Sequence, residues 1–164
     1  MRILHLSTRL ILGGSQENTV LSCEGQARLG HEVHLAYGPI YGPEGSLLER
    51  VTNFRTKDGR GITTHVVPSM VREINPLKDV RGYRELRHLI RELKPDIVHT
   101  HSSKAGIIGR AAAWAENSCG VVHTIHGPPF HAFEKKWRNA LYIGSEKFAA
   151  RKCHVIVSVC DAMT

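Results

Sequence analysis

The chain has 164 residues, of which 41% are apolar and 23% are charged, and this composition is typical of one globular domain with a core of its own. Its formal net charge of +7 favours anionic partners as a class. No apolar run of about 18 residues is present to span a membrane, and polar residues interrupt the N-terminal segment before a signal-peptide core forms. We therefore expect a cytoplasmic protein whose four scattered cysteines are reduced.

Short apolar segments alternate with longer segments of helical spacing along the chain. The predicted strands are 2–7, 31–37, 62–67, 96–101, 120–125 and 154–159. The predicted helices are 15–29, 46–53, 77–93, 104–116 and 133–150, with a further helix beginning near 161. This alternation predicts an α/β fold of the Rossmann-like, doubly wound type, in which helices flank both faces of a parallel sheet. Right-handed crossovers would give the strand order 3-2-1-4-5-6, within one domain covering 1–164.

Two helices carry recognisable start signals. Ser15 stands where the N-cap of the first helix is expected, and Asn75-Pro76 precedes the third helix. One apolar stripe is predicted along the third helix, formed by Leu77, Val80, Leu86, Leu89, Ile90 and Leu93.

Ligands of an open parallel sheet bind outside the carboxyl ends of its strands, near the switch between the first and fourth strands. The segments predicted to meet there are LGGSQ (12–16), HTHSSKAG (99–106) and HTIHGPPF (123–130). Gly13 and Gly14 would let the backbone approach a ligand and expose helix N–H groups to an anion. The plainer interpretation of the two glycines is a tight turn.

Several ligand classes lack their motifs. No G-x-G-x-x-G follows the first strand and no acidic residue ends the second, so NAD is not expected, and no P-loop motif is present. His99 and His101 would share a strand face, whereas His123 and His126 would not. No carboxylate or cysteine joins these histidines at ligand spacing, so we expect no metal and no other cofactor.

Basic residues supply the remaining candidates. Lys104 lies near the expected rim and is suited to a phosphate or an acidic sugar, while Arg110 is expected on a solvated helix surface. The segment 133–152 is a basic amphipathic helix. Such a helix usually presents a solvated face, and it also fits peripheral contact with an anionic membrane. No reader motif for nucleic acid accompanies the charge, so nucleic acid is not an expected partner.

The order and spacing of several segments resemble the N-terminal domain of GT-B fold glycosyltransferases of family 4, also called group 1. The segments are MRILHLS before Gly13-Gly14, LGHEVHLA, LKPDIVHTHSSKAGIIGRAAA, VVHTIHG and VIVSVCDAMT. The resemblance implies transfer of a sugar from a nucleotide-sugar donor, usually with retention, in a cleft between two domains. It also implies that the nucleotide-binding C-terminal domain is absent from this chain, so the isolated domain is expected to be inactive.

Donor contacts are expected at four positions, three of which the resemblance implies. Gly13 and Gly14 match the family's glycine loop beside the donor phosphate and sugar, and Gly127 is expected to let the backbone turn beneath the ligand. His126 matches the catalytic histidine that reaches the donor sugar near the reacting carbon. His123, deeper in the strand, is expected to be structural.

The acceptor is expected beside His101, Ser102 and Lys104, which match the family's loop after the fourth strand. The acceptor itself would be a sugar, a lipid-linked molecule or a small molecule, and the protein would work in the cytoplasm or on the inner face of the membrane. Two alternatives stay open. One is a non-catalytic Rossmann-like module that binds an anionic or phosphorylated ligand, and the other is half of a sugar-nucleotide epimerase.

Overall fold

The computed structural model describes residues 1–117, 119–127 and 135–160, and strands and helices alternate through them as predicted. The strands are β1 (Arg2–Ser7), β2 (Glu32–Tyr37), β3 (Ile62–Val66), β4 (Ile97–His101), β5 (Gly120–Ile125) and β6 (Val155–Ser158). The helices are α1 (Gly14–Arg28), α2 (Leu48–Asn53), α3 (Pro76–Leu93), α4 (Ser103–Glu116) and α5 (Lys136–Ala150).

The six strands form one parallel sheet in the order β3-β2-β1-β4-β5-β6, which confirms the predicted order and fold class. One apolar core lies between the sheet and α1 and α2, and it includes Val20, Cys23 and Leu35. A second core lies on the opposite face with α3 and α4, and it includes Leu6 and Leu86. Each of these four helices connects two parallel strands, so its N-terminus points to the carboxyl edge of the sheet.

Two glycines are required by close packing. A Cβ atom on Gly109 of α4 would lie 2.6 Å from Leu6 Cδ1 and 2.9 Å from Thr100 Cγ2, so this helix rests directly on β1 and β4. A Cβ atom on Gly38 would lie 1.8 Å from the carbonyl oxygen of Met70. The first contact holds α4 against the sheet, and the second holds the loop after β2 against the loop after β3. Both therefore shape the carboxyl edge.

The start signals are confirmed for one helix only. Asn75 caps α3, since its Oδ1 accepts a hydrogen bond of 3.1 Å from the backbone N–H of Lys78. Ser15 does not cap α1, because the helix begins one residue earlier, at Gly14. The Ser15 hydroxyl instead donates to Gln16 Oε1 at 2.8 Å.

The predicted apolar stripe of α3 is correct only for its second half. Leu86 and Ile90 are fully buried, but Leu77 is 79% exposed and Val80 is 51% exposed. The first turns of α3 extend beyond the core at the carboxyl edge, beside the exposed Ile74. Apolar surface is therefore left open next to the predicted site.

Helix α5 packs mainly against α4 and buries only Ala149 completely. Residues 133–134 of the predicted helix, residues 128–130 of the HTIHGPPF segment and the helix expected from 161 lie outside the described residues. Trp137, Leu141 and Phe148 share one side of α5 and are each about half exposed or more. Among the described helices, none combines the length and the apolar character needed to cross a membrane.

Candidate functional site

Two cavities open at the carboxyl edge of the sheet, on either side of the turn from β4 to α4, and both are bordered by Ser102 and Ser103. The first, about 580 Å³ in volume, is here called the His126 cavity. Its lining includes Ser15, Arg110, His123, His126, Gly127 and Glu146. The second, about 560 Å³, is called the Lys104 cavity. Its lining includes Arg9, Arg72, Ile74, Lys104, Leu141 and Tyr142.

The turn between the cavities is held by hydroxyl groups. Thr8, just after β1, places its Oγ1 atom 2.8 Å from Ser102 Oγ and accepts a hydrogen bond of 3.1 Å from the N–H of Ala105. Ser102 has φ 61° and ψ 157°, a conformation that is costly for any residue with a side chain. Such strain persists where the surroundings enforce it, and here it places Ser102 between the two cavities.

His126 lies on the wall of the first cavity, directly after β5. Its Nε2 atom is 3.1 Å from Nδ1 of the buried His101, so a hydrogen bond to His101 holds the ring in place. Partial burial lowers the pKa of His126 below its ordinary value, which keeps the imidazole neutral at neutral pH. A neutral, anchored imidazole at a cavity mouth can hydrogen-bond a polar group of a ligand.

His101 is more deeply buried than predicted. It is only 1% exposed, borders neither cavity, and its two ring nitrogens face His126 and His5. The expectation that His101 contacts an acceptor directly is therefore revised. Its ring supports His126 instead.

His123 is buried within β5, and its structural role stays a prediction. It lies on the opposite face of the sheet from His126, and its Nδ1 atom is 2.9 Å from Thr100 Oγ1. The ring is nearly buried, and burial lowers the pKa of His123 to about 4. Its edge borders the cavity that His126 lines.

The three predicted donor glycines are exposed at the edge of the site. A Cβ atom on Gly14 or Gly127 would meet nothing within 4 Å, so the fold itself does not require glycine there. Gly127 lines the His126 cavity, while Gly13 and Gly14 stand just before Ser15, which lines it too. Contact between these glycines and a donor stays a prediction.

The Lys104 cavity has a basic wall. Lys104 is 14% exposed, and its ammonium group lies 2.6 Å from Asp79 Oδ1. Arg9 pairs with Glu44 at 2.9 Å, and Arg72 has no ion pair within the part of the chain that the structure describes. Lys104 is thus a partly neutralised cation, and its contact with an acceptor stays a prediction.

Arg110 differs more than any other candidate residue from its predicted environment. It was expected on a solvated helix surface, but its side chain is 1% exposed. Its Nη2 atom lies 2.6 Å from Glu146 Oε2 of α5, and its Nε donates to the carbonyl of Gly106 at 2.8 Å. The small and apolar residues on both sides of it in GIIGRAAA were a signal that this stretch of helix is buried. The ion pair forms part of the wall of the His126 cavity.

Three histidines of the sheet come close enough together to be considered as metal ligands. One ring nitrogen from each of His5, His99 and His101 lies within 4.8 Å of the others. Burial lowers the pKa of His5 to about 4 and that of His99 to about 3, so both are neutral. However, His5 Nδ1 and His101 Nε2 lie only 2.9 Å apart, as in a hydrogen bond. The absence of a metal stays a prediction, and this short separation supports it.

The family of the chain follows from a match that covers nearly all of this architecture. Residues 12–164 fit the model of Glycosyltransferase Family 4. The chain belongs to glycosyltransferase family 4. The family assignment confirms the resemblance seen in the sequence.

Relatives of this family 4 domain were found by sequence and by structure. Over 85 residues it is 44% identical to the UDP-Gal:alpha-D-GlcNAc-diphosphoundecaprenol alpha-1,3-galactosyltransferase of Escherichia coli. That match covers 52% of this chain and 22% of the relative, so the chain spans well under half of the protein it matches. The relative is thus much longer than the region that the two proteins share.

Two solved structures show the same fold at low sequence identity. Sucrose-phosphate synthase of Thermosynechococcus elongatus has a TM-score of 0.68 at 12% identity, and the match covers 95% of the family 4 domain and 41% of the synthase. A putative UDP-N-acetylglucosamine 2-epimerase of Listeria monocytogenes has a TM-score of 0.63 at 12% identity, with 96% and 39% covered. At such identities the likeness concerns the fold, so the epimerase alternative gains only structural similarity.

Proposed function

We propose that the chain is the N-terminal, acceptor-side domain of a glycosyltransferase that moves a sugar from a nucleotide-sugar donor to an acceptor. The observation that carries the proposal is the position of His126. Its neutral, anchored imidazole lines a cavity of about 580 Å³ at the carboxyl edge of a family 4 domain. Ligands of open parallel sheets bind at this edge, near the switch between β1 and β4.

The two cavities suit two substrates. The donor sugar would enter the His126 cavity, beside Gly127 and next to the helix that Gly13 and Gly14 begin. The acceptor would enter the Lys104 cavity. Since Ser102 borders both cavities, the bond would form close to the strained turn that separates them.

The lining of the Lys104 cavity suggests the chemistry of the acceptor. Arg72 brings positive charge, and Arg9 and Lys104 add cations that are paired with Glu44 and Asp79. Ile74 and Leu141 bring exposed apolar surface. This combination suits an acceptor with phosphate groups and an apolar chain. The name of the Escherichia coli relative specifies a diphosphoundecaprenol acceptor. We therefore favour a sugar joined through a diphosphate to a lipid.

A second domain is part of the proposal. The matched relative is much longer than the region that it shares with this chain. We propose that a C-terminal domain of the full-length protein binds the nucleotide, closes the cleft and stabilises the leaving diphosphate, with retention at the anomeric carbon as the resemblance implies. No metal or other cofactor is needed in this scheme. The isolated chain would bind substrate without turning it over.

Helix α5 would bring the domain to a lipid-borne acceptor. Trp137, Leu141 and Phe148 present an exposed apolar side, and the ammonium group of Lys152 lies 4.8 Å from the centre of the Phe148 ring. An amphipathic helix of this kind binds the interface of an anionic membrane. Sedimentation with vesicles of anionic and of neutral lipid tests this contact. Binding only to anionic vesicles, lost in Trp137→Ser/Phe148→Ser, is expected.

The transfer activity is tested in the longer protein that carries this domain and its nucleotide-binding partner. UDP-, GDP- and ADP-sugars would be offered with a lipid-diphosphate-linked sugar, and product would be measured for wild type and His126→Ala. Removal of an electrostatic contact to the reacting group lowers kcat about 10²- to 10³-fold. His88→Ala, on the exposed side of α3, is the matched control. Near-normal kcat in His126→Ala would contradict the proposal.

The same assay separates the alternatives. NMR analysis of the product linkage reports whether the anomeric configuration is retained. Conversion of a UDP-sugar without any acceptor would indicate an epimerase instead. Binding of an anionic ligand without consumption of any sugar nucleotide would indicate a non-catalytic module.

A further inference from the structure

A continuous row of side-chain hydrogen bonds runs from the first helix to the wall of the His126 cavity. Gln26 Oε1 is 2.7 Å from His5 Nε2, and His5 Nδ1 is 2.9 Å from His101 Nε2. His101 Nδ1 is in turn 3.1 Å from His126 Nε2. His5 and His101 are 0% and 1% exposed, so water does not reach the middle of this row.

The imidazole rings meet edge to edge. For His5 and His101 the ring centres are 5.2 Å apart, the facing nitrogens 2.9 Å apart, and the planes differ by 17°. For His101 and His126 the corresponding values are 5.4 Å, 3.1 Å and 30°. In each pair the centres are separated by the nitrogen–nitrogen distance plus about two ring radii. Each lone pair therefore points at the facing nitrogen, as an N–H···N hydrogen bond requires.

The same geometry disfavours a metal between these rings. Zinc binds imidazole nitrogens at about 2.0–2.1 Å along their lone pairs. Two nitrogens that face one another across 2.9 Å leave no room for an ion on the line between them. A proton fits this gap, and a metal would require the rings to turn away from each other.

The direction of the hydrogen bonds in the row follows from its Gln26 end. The Gln26 oxygen only accepts, so His5 Nε2 must carry a hydrogen and His5 Nδ1 must offer its lone pair. His101 Nε2 must then donate to His5, which leaves His101 Nδ1 as an acceptor. His126 Nε2 must donate to His101 in the same way. His5 and His101 are consequently neutral Nε2–H tautomers, and His126 carries a hydrogen at Nε2. Since burial lowers the pKa of His126, its Nδ1 atom is unprotonated at neutral pH.

We propose that Gln26, His5 and His101 are positioning residues that hold His126 as a neutral Nε2–H tautomer, whose Nδ1 lone pair accepts a hydrogen bond from a substrate hydroxyl. This inference rests on the proposed function and deepens it. Among the described residues nothing partners Nδ1 of His126, so this atom is left for a ligand. A substrate hydroxyl can donate to it, whereas a phosphate oxygen, which only accepts, cannot.

The surroundings of the row favour neutral rings. His99 stands beside both inner rings, with its centre 5.0 Å from that of His5 and 4.3 Å from that of His101. Its Nε2 atom is held 2.7 Å from Thr124 Oγ1. Protonation of any ring would place a charge in a buried space and break the row at one nitrogen. Burial accordingly lowers the pKa values of His5, His99 and His101.

Tautomers can be read directly by NMR from the wild-type chain. In a long-range ¹H–¹⁵N correlation spectrum of ¹⁵N-labelled protein at pH 7, a protonated and an unprotonated ring nitrogen differ clearly in shift. We expect His5, His101 and His126 each to show a protonated Nε2 and an unprotonated Nδ1. The signals of His126 are assigned by their loss in His126→Gln. A His126 ring protonated at Nδ1, averaged between tautomers, or charged would overturn the proposal.

Variants of Gln26 test whether the row of hydrogen bonds sets the tautomer of His126. In Gln26→Glu the carboxylate still only accepts, so the three tautomers should be retained. In Gln26→Leu the terminal acceptor is lost, and the Nδ1 shift of His126 should move towards the value of a tautomer mixture. An unchanged His126 spectrum in folded Gln26→Leu would show that the row does not set the tautomer.

Two further measurements keep the outcomes distinct. Addition of one equivalent of Zn²⁺ should leave the spectrum unchanged, and joint shifts of His5, His99 and His101 would show a metal site instead. Loss of transfer in His126→Ala with the wrong tautomer would sink this inference alone. The predicted tautomers combined with full activity in His126→Ala would sink the proposed function.

Discussion

The hydroxyl groups of Thr8 and Ser102 lie 2.8 Å apart and join the end of β1 to the start of α4. Thr8 also accepts a hydrogen bond from the N–H of Ala105, so it satisfies a backbone group in the first turn of α4 that no side chain of that turn caps. This link crosses the switch point of the sheet. It therefore connects the stability of the fold to the position of the turn between the two cavities.

Replacement of Thr8 by valine should destabilise the domain. Valine keeps the shape but leaves the buried N–H of Ala105 without an acceptor, which costs about 1–3 kcal/mol. Urea unfolding followed by circular dichroism measures this loss. Thr8→Ser retains the oxygen and is the control. Equal stability of Thr8→Val and wild type would show that the link contributes nothing.

Alanine at the open glycines should affect binding and spare the fold. Gly14→Ala and Gly127→Ala introduce a Cβ atom into empty space, so their unfolding free energies should stay within about 0.5 kcal/mol of wild type. Substrate affinity should fall if a ligand occupies that space. Gly109→Ala is the opposite case, because its Cβ atom would collide with Leu6 and Thr100. It should cost about 1–3 kcal/mol. Unfolding curves check the predicted stabilities, and ligand titrations check the predicted affinities. A strongly destabilised Gly14→Ala would show that the space beside Gly14 is not open.

The buried ion pair of Arg110 and Glu146 should show strong coupling. Glu146→Leu leaves a buried guanidinium without its carboxylate, and breaking such a pair costs about 3 kcal/mol or more. The double variant Arg110→Met/Glu146→Leu removes both charges and should be more stable than Glu146→Leu alone. A double-mutant cycle measured by urea unfolding tests this order. Additive losses would mean that the two side chains do not interact.

Stability should fall as the pH drops below neutral. Burial lowers the pKa of His5 and of His123 from 6.5 to about 4, so the unfolded chain binds protons more readily than the folded chain. Above pH 6.5 both rings are neutral in the folded and the unfolded chain, so they do not reduce the free energy of unfolding. Between pH 6.5 and about 4 the unfolded chain is protonated first, and the free energy of unfolding falls by roughly 3 kcal/mol for each ring. Glu24, whose pKa is lowered by Arg50, adds its own loss only under more acidic conditions.

Unfolding free energies measured at intervals from pH 7.5 to 4.5 check this dependence. The exposed His88 supplies the control, since His88→Gln should leave the slope unchanged. His5→Asn should reduce the slope if the chain still folds. A flat profile between pH 7 and 5 would contradict the buried, neutral state of these histidines.

The strand order, the fold class and nearly every element were predictable because apolar periodicity and Gly and Pro punctuation are local signals. The row from Gln26 to His126 was not predictable, since it depends on the register that sets His5 beside His99. A sequence does not state which residues of two distant strands lie side by side. The placement of His101 beside His126 depends in the same way on the register of β4 and β5, which pairs His101 with Thr124.

The burial of Arg110 was not predictable for a different reason. Its helix is amphipathic only weakly, and whether its charge is solvated depends on a carboxylate from α5, 36 residues away. The exposure of Leu77 likewise depends on where the core ends and not on the spacing of the stripe. The sequence thus specified the elements, while partners supplied from other elements decided the charge and burial at the site.

Saturation-transfer NMR on the 164-residue chain tests the central claim most directly. The ligands would be UDP-, GDP- and ADP-sugars and lipid-diphosphate-linked sugars, offered to wild type, His126→Ala and Gly14→Val. We expect transfer to sugar and acceptor protons with little transfer to the nucleotide, and loss of the sugar signals in both variants. Tight nucleotide binding that neither substitution changes would contradict the account, because the ligand site would then lie away from His126.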